Sequence, residues 1–362
     1  MVRRNTMNKN LLYSKFKILK HLKKLDIIKS GKIPSPTLVR IDLTNNCNHR
    51  CIYCMYQKSL PEFNLCDNFN FSYVIEKWDA IKLLDDIKSI GTKAVMFTGG
   101  GEPTIHKNIK EILNYSLNKD LEVGLLTNGA KLDRSWIKLL RHKNFKWIRI
   151  SLDAATETTW KKVHRPIYGN NLKRILNLIK YYKNNGIKAE IGTSFVINDY
   201  NWKEIFKFTQ LCKKHNVDNV RLSFTYQIKR EKLYRKNRKD ILFLLNQAEK
   251  LSTKNFYVNI LKERLESIEN KDKKYKKCYF IHFSTSVGAD LKLYPCCMTK
   301  YCKKYIIGDI KKNGFLSVWN KNMKKFTKKL DVTKCPSCWY DYFNEMCEYY
   351  CSEDKKFKNF IN

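Results

Sequence analysis

Residues 47–54 read Cys-Asn-His-Arg-Cys-Ile-Tyr-Cys, and shortly before them the alternating residues 41–44 (Ile-Asp-Leu-Thr) predict a strand. Three thiolates at this spacing can bind three irons of a cubane [4Fe–4S] cluster and leave the fourth iron open to another ligand. A structural zinc site is the alternative, but zinc usually takes four protein ligands, commonly from paired CxxC motifs. The spacing therefore predicts a cluster with one open iron at Cys47, Cys51 and Cys54.

The bulk composition is that of a globular protein. A chain of 362 residues is long enough for one large domain and one smaller one. We see no apolar run that would span a membrane, and the charged N-terminus lacks the apolar core of an export signal. The 13 cysteines therefore predict thiolate ligands in a reducing cytoplasm, where disulfides are rare.

The formal charge of +37 raises the question of a nucleic-acid partner. Only 14 of the 71 basic residues are arginine, however, and the lysines are spread along the whole chain. Phosphate recognition favours the bidentate fork of arginine. We therefore interpret the charge as a solvated lysine surface. An RNA-binding iron–sulfur protein without radical chemistry would rest on charge alone.

From residue 38 onward, strand-like runs alternate with amphipathic helical runs, which is typical of an α/β fold with a parallel sheet. The predicted strands are Leu38–Thr44, Ala94–Thr98, Glu122–Thr127, Trp147–Leu152, Ala189–Ile197 and Asn219–Phe224. The predicted helices lie near 75–90, 107–118, 133–141, 170–185 and 202–215. An earlier helix is predicted within 11–30.

Residues 98–103 read Thr-Gly-Gly-Gly-Glu-Pro and follow the second predicted strand. Consecutive glycines let the backbone approach a ligand closely, and the proline fixes the turn. Together with the cysteine spacing and the aromatic Tyr53 before the third cysteine, this segment resembles the radical S-adenosylmethionine (SAM) superfamily.

The resemblance implies a partial (β/α)6 TIM-like barrel with its chemistry at the carboxyl ends of the strands. It implies that SAM binds the open iron and that Gly100, Gly101, Glu102 and Pro103 hold the amino group of its methionine part. The reduced cluster would cleave SAM to a 5'-deoxyadenosyl radical that removes a hydrogen atom from the substrate. A flavodoxin- or ferredoxin-type protein would supply the electron.

Other polar residues near strand ends are candidates for contacts with SAM. Ser151 and Asp153 could bind the ribose, and Arg165 could bind the carboxylate through its guanidinium. Residues 127–129 (Thr-Asn-Gly) end the third strand in the same layer. Thr193, Ser194 and Ser223 are weaker candidates for the adenine region. His164 is expected to be a surface residue, as histidines of this kind usually are.

The C-terminal part is rich in cysteine: it contains Cys278, Cys296, Cys297, Cys302, Cys335, Cys338, Cys347 and Cys351. This small module resembles the SPASM and twitch modules that carry auxiliary [4Fe–4S] clusters. In a twitch version, one cluster uses Cys278, Cys296, Cys335 and Cys338. In a SPASM version Cys347 and Cys351 contribute to a second cluster, for which Cys297 or Cys302 could supply a missing ligand. A zinc ribbon is a further option.

These observations predict four segments: an N-terminal helical segment (1–37), a radical SAM barrel (38–226), a lysine-rich helical bridge (227–277) and the auxiliary module (278–362). An auxiliary cluster can accept an electron from a substrate radical, so the predicted net reaction is an oxidation. The twitch-like spacing favours a small polyol or aminosugar substrate. The alternative is a ribosomal peptide or protein side chain, as in peptide maturases and sulfatase maturases. The sequence identifies no catalytic residue that deprotonates the substrate radical.

Overall fold

The computed structural model describes residues 14–56, 66–167, 171–224, 230–262, 273–335 and 338–352. Its strands are Leu38–Asp42 (β1), Ala94–Thr98 (β2), Glu122–Thr127 (β3), Phe145–Ser151 (β4), Glu190–Ile197 (β5), Asn219–Phe224 (β6), Tyr257–Ile260 (β7), Ser284–Val287 (β8), Lys292–Tyr294 (β9) and Gly308–Asp309 (β10). They form one sheet with the order β10-β9-β8-β1-β2-β3-β4-β5-β6-β7.

The α-helices of the described residues are Leu22–Lys29 (α1), Lys77–Ser89 (α2), Ile109–Asn118 (α3), Ile137–Leu140 (α4), Glu157–His164 (α5), Leu172–Asn184 (α6), Ile205–Lys214 (α7), Arg230–Glu249 (α8), Ile310–Asn313 (α9), Phe315–Lys329 (α10) and Asp341–Cys351 (α11). Short 3-10 turns precede several of them. No helix in this part of the chain is long and apolar enough to cross a membrane.

Alternation along the strands decides which side chains face the helices. On β1, Val39 and Ile41 are fully buried in the main hydrophobic core together with residues of α2, such as Leu84. Arg40 and Asp42 therefore point to the opposite, inner face of the curved sheet. The same alternation places residues such as Val95, Leu125, Ile148 and Val220 in the core under the helices.

The predicted fold class is confirmed. All six predicted strands are present, and β1 to β7 pair in parallel, as a (β/α) barrel requires. The sheet remains open, because β7 and β10 lie at its two edges. The partial barrel is thus an arc of parallel strands covered on its outside by helices.

Three local features were not predicted. Strand β7 lies in the segment that we expected to be a helical bridge, and it pairs in parallel with β6. Helix α5 follows β4 where no helix was predicted. The N-terminal helical segment begins as a 3-10 helix, Lys15–His21, before α1, and residues 11–13 of the predicted helix lie outside the described residues.

The C-terminal module continues the barrel's sheet. Strand β8 pairs in parallel with β1, and β9 then pairs antiparallel with β8. Helix α10 begins at Phe315, whose backbone N–H donates a 2.9 Å hydrogen bond to Asp86 Oδ2 of α2. The division of the chain at 226 and 278 therefore stays a prediction, since one continuous sheet runs through both parts.

Candidate iron–sulfur and cofactor site

The cysteine loop lies over the end of helix α5. The backbone N–H of Arg50 donates to the carbonyl of His164 at 3.1 Å, and that of Ile52 donates to the carbonyl of Val163 at 3.0 Å. Cys54 N–H donates to the Cys51 carbonyl at 3.1 Å and closes a turn. These contacts place the three cysteines at the carboxyl end of the barrel.

Burial raises the pKa values of all three thiols. Burial raises the pKa of Cys47 to about 12, and the nearby Glu102 carboxylate adds to the rise. Burial raises the pKa of Cys51 well above its ordinary value, and the neighbouring Cys54 and Cys47 raise it further. Such thiols lose their protons when iron supplies the missing positive charge. The donor set therefore fits a [4Fe–4S] cluster.

His164 is buried, so its expected place on the surface was wrong. Its Nδ1 lies 3.3 Å from Cys51 Sγ, and its Nε2 lies 2.9 Å from the carbonyl oxygen of Leu152. His49, Cys51 and His164 also form a group that could hold a metal ion, with ligand atoms within 4.8 Å of one another. Because this group shares Cys51 with the cysteine triad, it is part of the cluster's surroundings.

The glycine segment packs directly against the chain that leads to Cys47. Gly101 N–H donates to the Thr44 carbonyl at 3.1 Å, and Glu102 N–H donates to the Asn46 carbonyl at 2.8 Å. A Cβ atom on Gly101 would lie 1.9 Å from the Asn46 carbonyl oxygen, and one on Gly100 would lie 2.2 Å from Asn45 Oδ1. Only glycine fits at these two positions.

The carboxylate of Glu102 is buried and used within the protein. It accepts hydrogen bonds from Thr127 Oγ1 at 2.6 Å, from the backbone N–H of Asn128 at 2.7 Å and from the backbone N–H of Thr104 at 3.0 Å. Burial raises its pKa, which these hydrogen bonds oppose. Glu102 thus joins the glycine segment to the end of β3.

A cleft of about 250 Å3 opens between the cysteine triad and the glycine segment. All of Gly100 to Pro103 line it, as does Ser151 at the end of β4. Cys47, Cys51 and Cys54 line the same cleft. A cofactor bound to the open iron of their cluster would therefore lie next to the glycine segment. Two predicted contact residues, Asp153 and Arg165, do not line this cleft.

Asp153 holds the cysteine loop instead of facing the cleft. It is fully buried, with a φ of 51°. Its Oδ2 accepts a 2.5 Å hydrogen bond from the Tyr53 hydroxyl, and its Oδ1 accepts a 2.5 Å hydrogen bond from the backbone N–H of Val196. The structure therefore gives it a positioning role, since both carboxylate oxygens already have partners.

Arg165 ends helix α5 with a left-handed φ of 45°, and its side chain is exposed. Among the weaker candidates, Thr193 faces the helices, with its Oγ1 3.4 Å from Cys212 Sγ. Ser194 faces the barrel interior and donates a 3.3 Å hydrogen bond to Ser151 Oγ. Ser223 is buried on the inner face of β6.

Sequence reasoning missed Arg50 and Arg221, which both line the cleft. Arg50 Nη1 donates a 2.7 Å hydrogen bond to the Cys47 carbonyl. Arg221 alternates with the core residues Val220 and Leu222 on β6, and this pattern already predicts an inward-facing arginine.

Comparison with known proteins decides the family. A family model described as "Radical SAM superfamily" matches residues 41–224, which is just over half of the chain. The chain belongs to the radical SAM superfamily. A second model, described as an iron–sulfur cluster-binding domain of the SPASM type, matches residues 278–339. The expected cofactors of this radical SAM protein are thereby confirmed as [4Fe–4S] clusters and SAM.

Among curated relatives, an Fe-coproporphyrin III synthase of Methanosarcina barkeri is 23% identical over 88% of this chain and 84% of its own. A GTP 3',8-cyclase of Clostridium perfringens is 31% identical, but over 50% of this chain and 53% of its own, so the chain spans about half of that relative. The first alignment thus covers most of both chains, whereas the second covers about half of each.

Solved structures share the fold. SuiB of Streptococcus suis bound to S-adenosylmethionine superimposes with a TM-score of 0.62 over 84% of this chain and 71% of its own, at 15% identity. SuiB bound to precursor peptide SuiA superimposes with a TM-score of 0.56 over 91% of this chain and 73% of its own, at 15% identity. The protein anSMEcpe with bound AdoMet superimposes with a TM-score of 0.57 over 86% of this chain and 85% of its own, at 19% identity. Each of these likenesses covers at least 84% of this chain.

In the auxiliary module of this radical SAM protein, four thiols interact. Burial raises the pKa of Cys278 well above its ordinary value, and Cys296, Cys338 and Cys335 raise it further. Burial raises the pKa of Cys338 to about 12, and Cys296 again adds to the rise. The backbone N–H of Tyr340 donates a 3.3 Å hydrogen bond to Cys338 Sγ. The donor set fits one auxiliary cluster.

The remaining C-terminal cysteines have other surroundings. Cys347 is fully buried in an apolar cluster with Ile18 and Leu25, and Cys351 packs against the same cluster. Cys297 Sγ accepts a 2.7 Å hydrogen bond from Arg40 Nη1. Cys302 is buried and precedes a 3-10 turn. The neighbours that raise the Cys278 pKa thus match the ligand set of the twitch version.

Proposed function

We propose that this radical SAM enzyme modifies a side chain of a ribosomal peptide or protein. The observation that carries the proposal is the fold shared with SuiB over 91% of this chain, since that SuiB structure holds a precursor peptide. The comparisons support this alternative better than the polyol or aminosugar substrate that the cysteine spacing favoured, so we set that substrate aside. The spacing of the C-terminal cysteines bears on how many auxiliary clusters can form, and it says little about which substrate binds.

When bound, the cluster and SAM supply a 5'-deoxyadenosyl radical that removes a hydrogen atom from the substrate. The chain's own residues position these groups. Cys47, Cys51 and Cys54 would hold three irons of the cluster, and the glycine segment lines the cleft beside them. Ser151 also lines this cleft and is the residue that we expect to contact the SAM ribose.

One auxiliary cluster at Cys278, Cys296, Cys335 and Cys338 would accept the electron that remains on the substrate after hydrogen removal. This makes the net reaction a two-electron oxidation, with the proton released to a base that we do not assign. A flavodoxin- or ferredoxin-type carrier would deliver electrons to the triad cluster. The support is the proximity of Cys296, Cys338 and Cys335 to the buried Cys278, whose pKa all three raise.

A second candidate is the modification of a carboxylated tetrapyrrole. It is favoured by the alignment with the Methanosarcina barkeri Fe-coproporphyrin III synthase, which covers most of both chains. The alignment with the GTP 3',8-cyclase, by contrast, covers about half of each chain.

Deuterium transfer tests the substrate class without knowledge of the substrate itself. The anaerobically reconstituted protein receives SAM, dithionite and one of three deuterated pools: ribosomal peptides, polyols with aminosugars, or coproporphyrins. Mass spectrometry then measures deuterium in the 5'-deoxyadenosine. We expect transfer from the peptide pool and none with the Cys51→Ala protein. Transfer from the sugar pool alone would contradict the proposal, and transfer from the coproporphyrins alone would favour the second candidate.

A further inference from the structure

Three neighbouring strands present a polar row to the barrel interior. The register pairs Ser194 of β5 with Arg221 of β6, and Arg221 with Asn259 of β7. The alternating residues Val220 and Leu222 belong to the hydrophobic core outside the sheet. The side chains of this row therefore face inward, where Arg221 also lines the cleft beside the cysteine triad.

Several polar atoms of this region are buried and have no hydrogen-bond partner among the described residues. They are Arg221 Nε, Ser223 Oγ and Asn259 Nδ2. Ser223 is 2% exposed and Asn259 is 7% exposed. A buried donor without a partner is costly, and most native proteins satisfy such groups with water or a ligand. A guanidinium, a hydroxyl and an amide N–H together are donors suited to an oxyanion.

An aromatic side chain and a second arginine lie on the inner face of β4. The Trp147 ring fills the space over Gly124, where a Cβ atom would lie 2.3 Å from the ring. The guanidinium of Arg149, which is 6% exposed, lies 5.3 Å from the centre of that ring. Trp147 thus fills the interior at the level of Gly124. The charge of Arg149 lowers the pKa of the Glu190 carboxyl group, which burial raises, so this carboxylate lies near Arg149 and balances part of its charge. Arg221 is therefore the cation on which the proposal depends.

We propose that Arg221, together with Ser223 and Asn259, binds a carboxylate of the substrate. Resting on the proposed function, this group is the carboxylate of an acidic residue in the target peptide; a carboxylated small molecule would offer the same chemistry. The amino-acid part of SAM is expected at the glycine segment after β2, and β6 lies four strands further along the sheet. We assign Arg221 to the substrate, and because it lines the same cleft as the glycine segment, the test below also measures SAM affinity.

The experiment measures carboxylate discrimination by the reconstituted holoenzyme in saturating SAM. The probes are N-acetylglutamate N-methylamide and its neutral isostere N-acetylglutamine N-methylamide, titrated by ligand-observed NMR. We expect the wild type to bind the acidic probe at least about tenfold more tightly, because hydrogen bonds to charged groups are the stronger ones. Arg221→Gln should bring the ratio close to one, and Arg221→Lys should keep part of it.

Arg134→Gln is the matched control, since Arg134 is exposed outside the barrel, and it should keep the full ratio. Should Arg221→Gln fail to fold, Asn259→Asp replaces it: a carboxylate beside Arg221 competes with the probe and should reduce its affinity at least about fivefold. A wild-type ratio near one both for this pair and for the coproporphyrin pair described below overturns the proposal, as does an unchanged ratio in Arg221→Gln for a pair that the wild type discriminates. So does a tenfold loss of SAM affinity in Arg221→Gln, which would assign the arginine to the cofactor.

The same titration with coproporphyrin III and its tetramethyl ester distinguishes the two sources of the carboxylate. The subsite is supported if the wild type binds the acidic member of either probe pair more tightly and Arg221→Gln loses this preference. It is overturned if neither pair shows such a preference. The result is independent of the deuterium-transfer assay. If the acidic probes bind more tightly but no deuterium is transferred from the peptide pool, the peptide proposal alone is refuted. If deuterium is transferred from the peptide pool but neither acidic probe binds more tightly than its neutral counterpart, the subsite alone is refuted.

Discussion

The Tyr53 hydroxyl donates a 2.5 Å hydrogen bond to Asp153 Oδ2, which joins the cysteine loop to the end of β4. Both groups are buried, and Asp153 Oδ1 is held in turn by the backbone N–H of Val196 on β5. Two strands of the barrel therefore fix the residue next to Cys54. The aromatic residue before the third cysteine therefore has a structural role, because its hydroxyl anchors the cysteine loop to the barrel.

Removal of that hydroxyl should loosen the loop. Tyr53→Phe leaves a buried carboxylate oxygen short of its donor, which costs about 1–3 kcal/mol in the free energy of unfolding. Urea unfolding of the apoprotein measures the loss. Tyr349→Phe is the control, because Tyr349 is 77% exposed on α11 and should change stability by less than about 0.5 kcal/mol. Equal effects of the two substitutions would refute the anchoring role.

Gly101 is predicted to tolerate no side chain. The alanine Cβ atom would lie 1.9 Å from the Asn46 carbonyl oxygen, a backbone atom that cannot rotate away. Gly101→Ala should therefore displace the chain before Cys47 and cost about 1–3 kcal/mol or more, as overpacking does. Urea unfolding measures the cost. The control Gly31→Ala adds a Cβ with nothing within 4 Å at a φ of 77°, so it reports backbone strain alone. A smaller effect at Gly101 than at Gly31 would contradict the close packing.

Iron and sulfide analysis counts the clusters. One auxiliary cluster predicts about 8 iron atoms per reconstituted chain, and Cys338→Ala should reduce this to about 4. Cys347→Ala and Cys351→Ala should both retain about 8, because these residues pack in the apolar cluster of α1 and α11. A wild-type value near 12 that falls in these last two variants would instead show a second auxiliary cluster.

Lys300 and Asp42 form a buried ion pair between the auxiliary module and β1, with side chains 4% and 1% exposed. Tyr301 also donates a 2.9 Å hydrogen bond to Asp42 Oδ2. Lys300→Met leaves the carboxylate without its counter-charge and should cost about 3–5 kcal/mol in the free energy of unfolding. In Asp42→Asn/Lys300→Met the amide replaces the charge, so part of the loss should be recovered. Additive losses in urea unfolding would show that the two charges do not interact.

The sequence predicted the barrel strands well because their burial alternates regularly. Residues such as Val39 and Ile41 face the core, and the predicted and observed boundaries differ by at most a few residues. Strand β7 was missed because it is only four residues long and lies in a lysine-rich segment. Its place in the sheet depends on pairing with β6, which no local pattern contains.

The sequence predicted those parts of the candidate site whose function depends on the spacing of residues along the chain. The cysteine triad and the glycine segment are such cases. Asp153 was expected to contact the SAM ribose as a polar residue at the end of β4, and Arg165 to contact the SAM carboxylate through its guanidinium. Neither lines the cleft, since both have left-handed backbone angles and Arg165 ends α5, features that the sequence pattern did not reveal. His164 was misjudged for the same reason: its burial beside Cys51 arises from contacts between α5 and the cysteine loop.

The most direct test of the account is the formation of 5'-deoxyadenosine from SAM by the reconstituted protein under dithionite. We predict steady formation by the wild type and loss of it in Cys47→Ala, Cys51→Ala and Cys54→Ala, while Cys351→Ala, which changes a cysteine outside the triad, retains it. Cleavage of SAM by any of the three triad variants at the wild-type rate would contradict the assignment of the open iron to this loop.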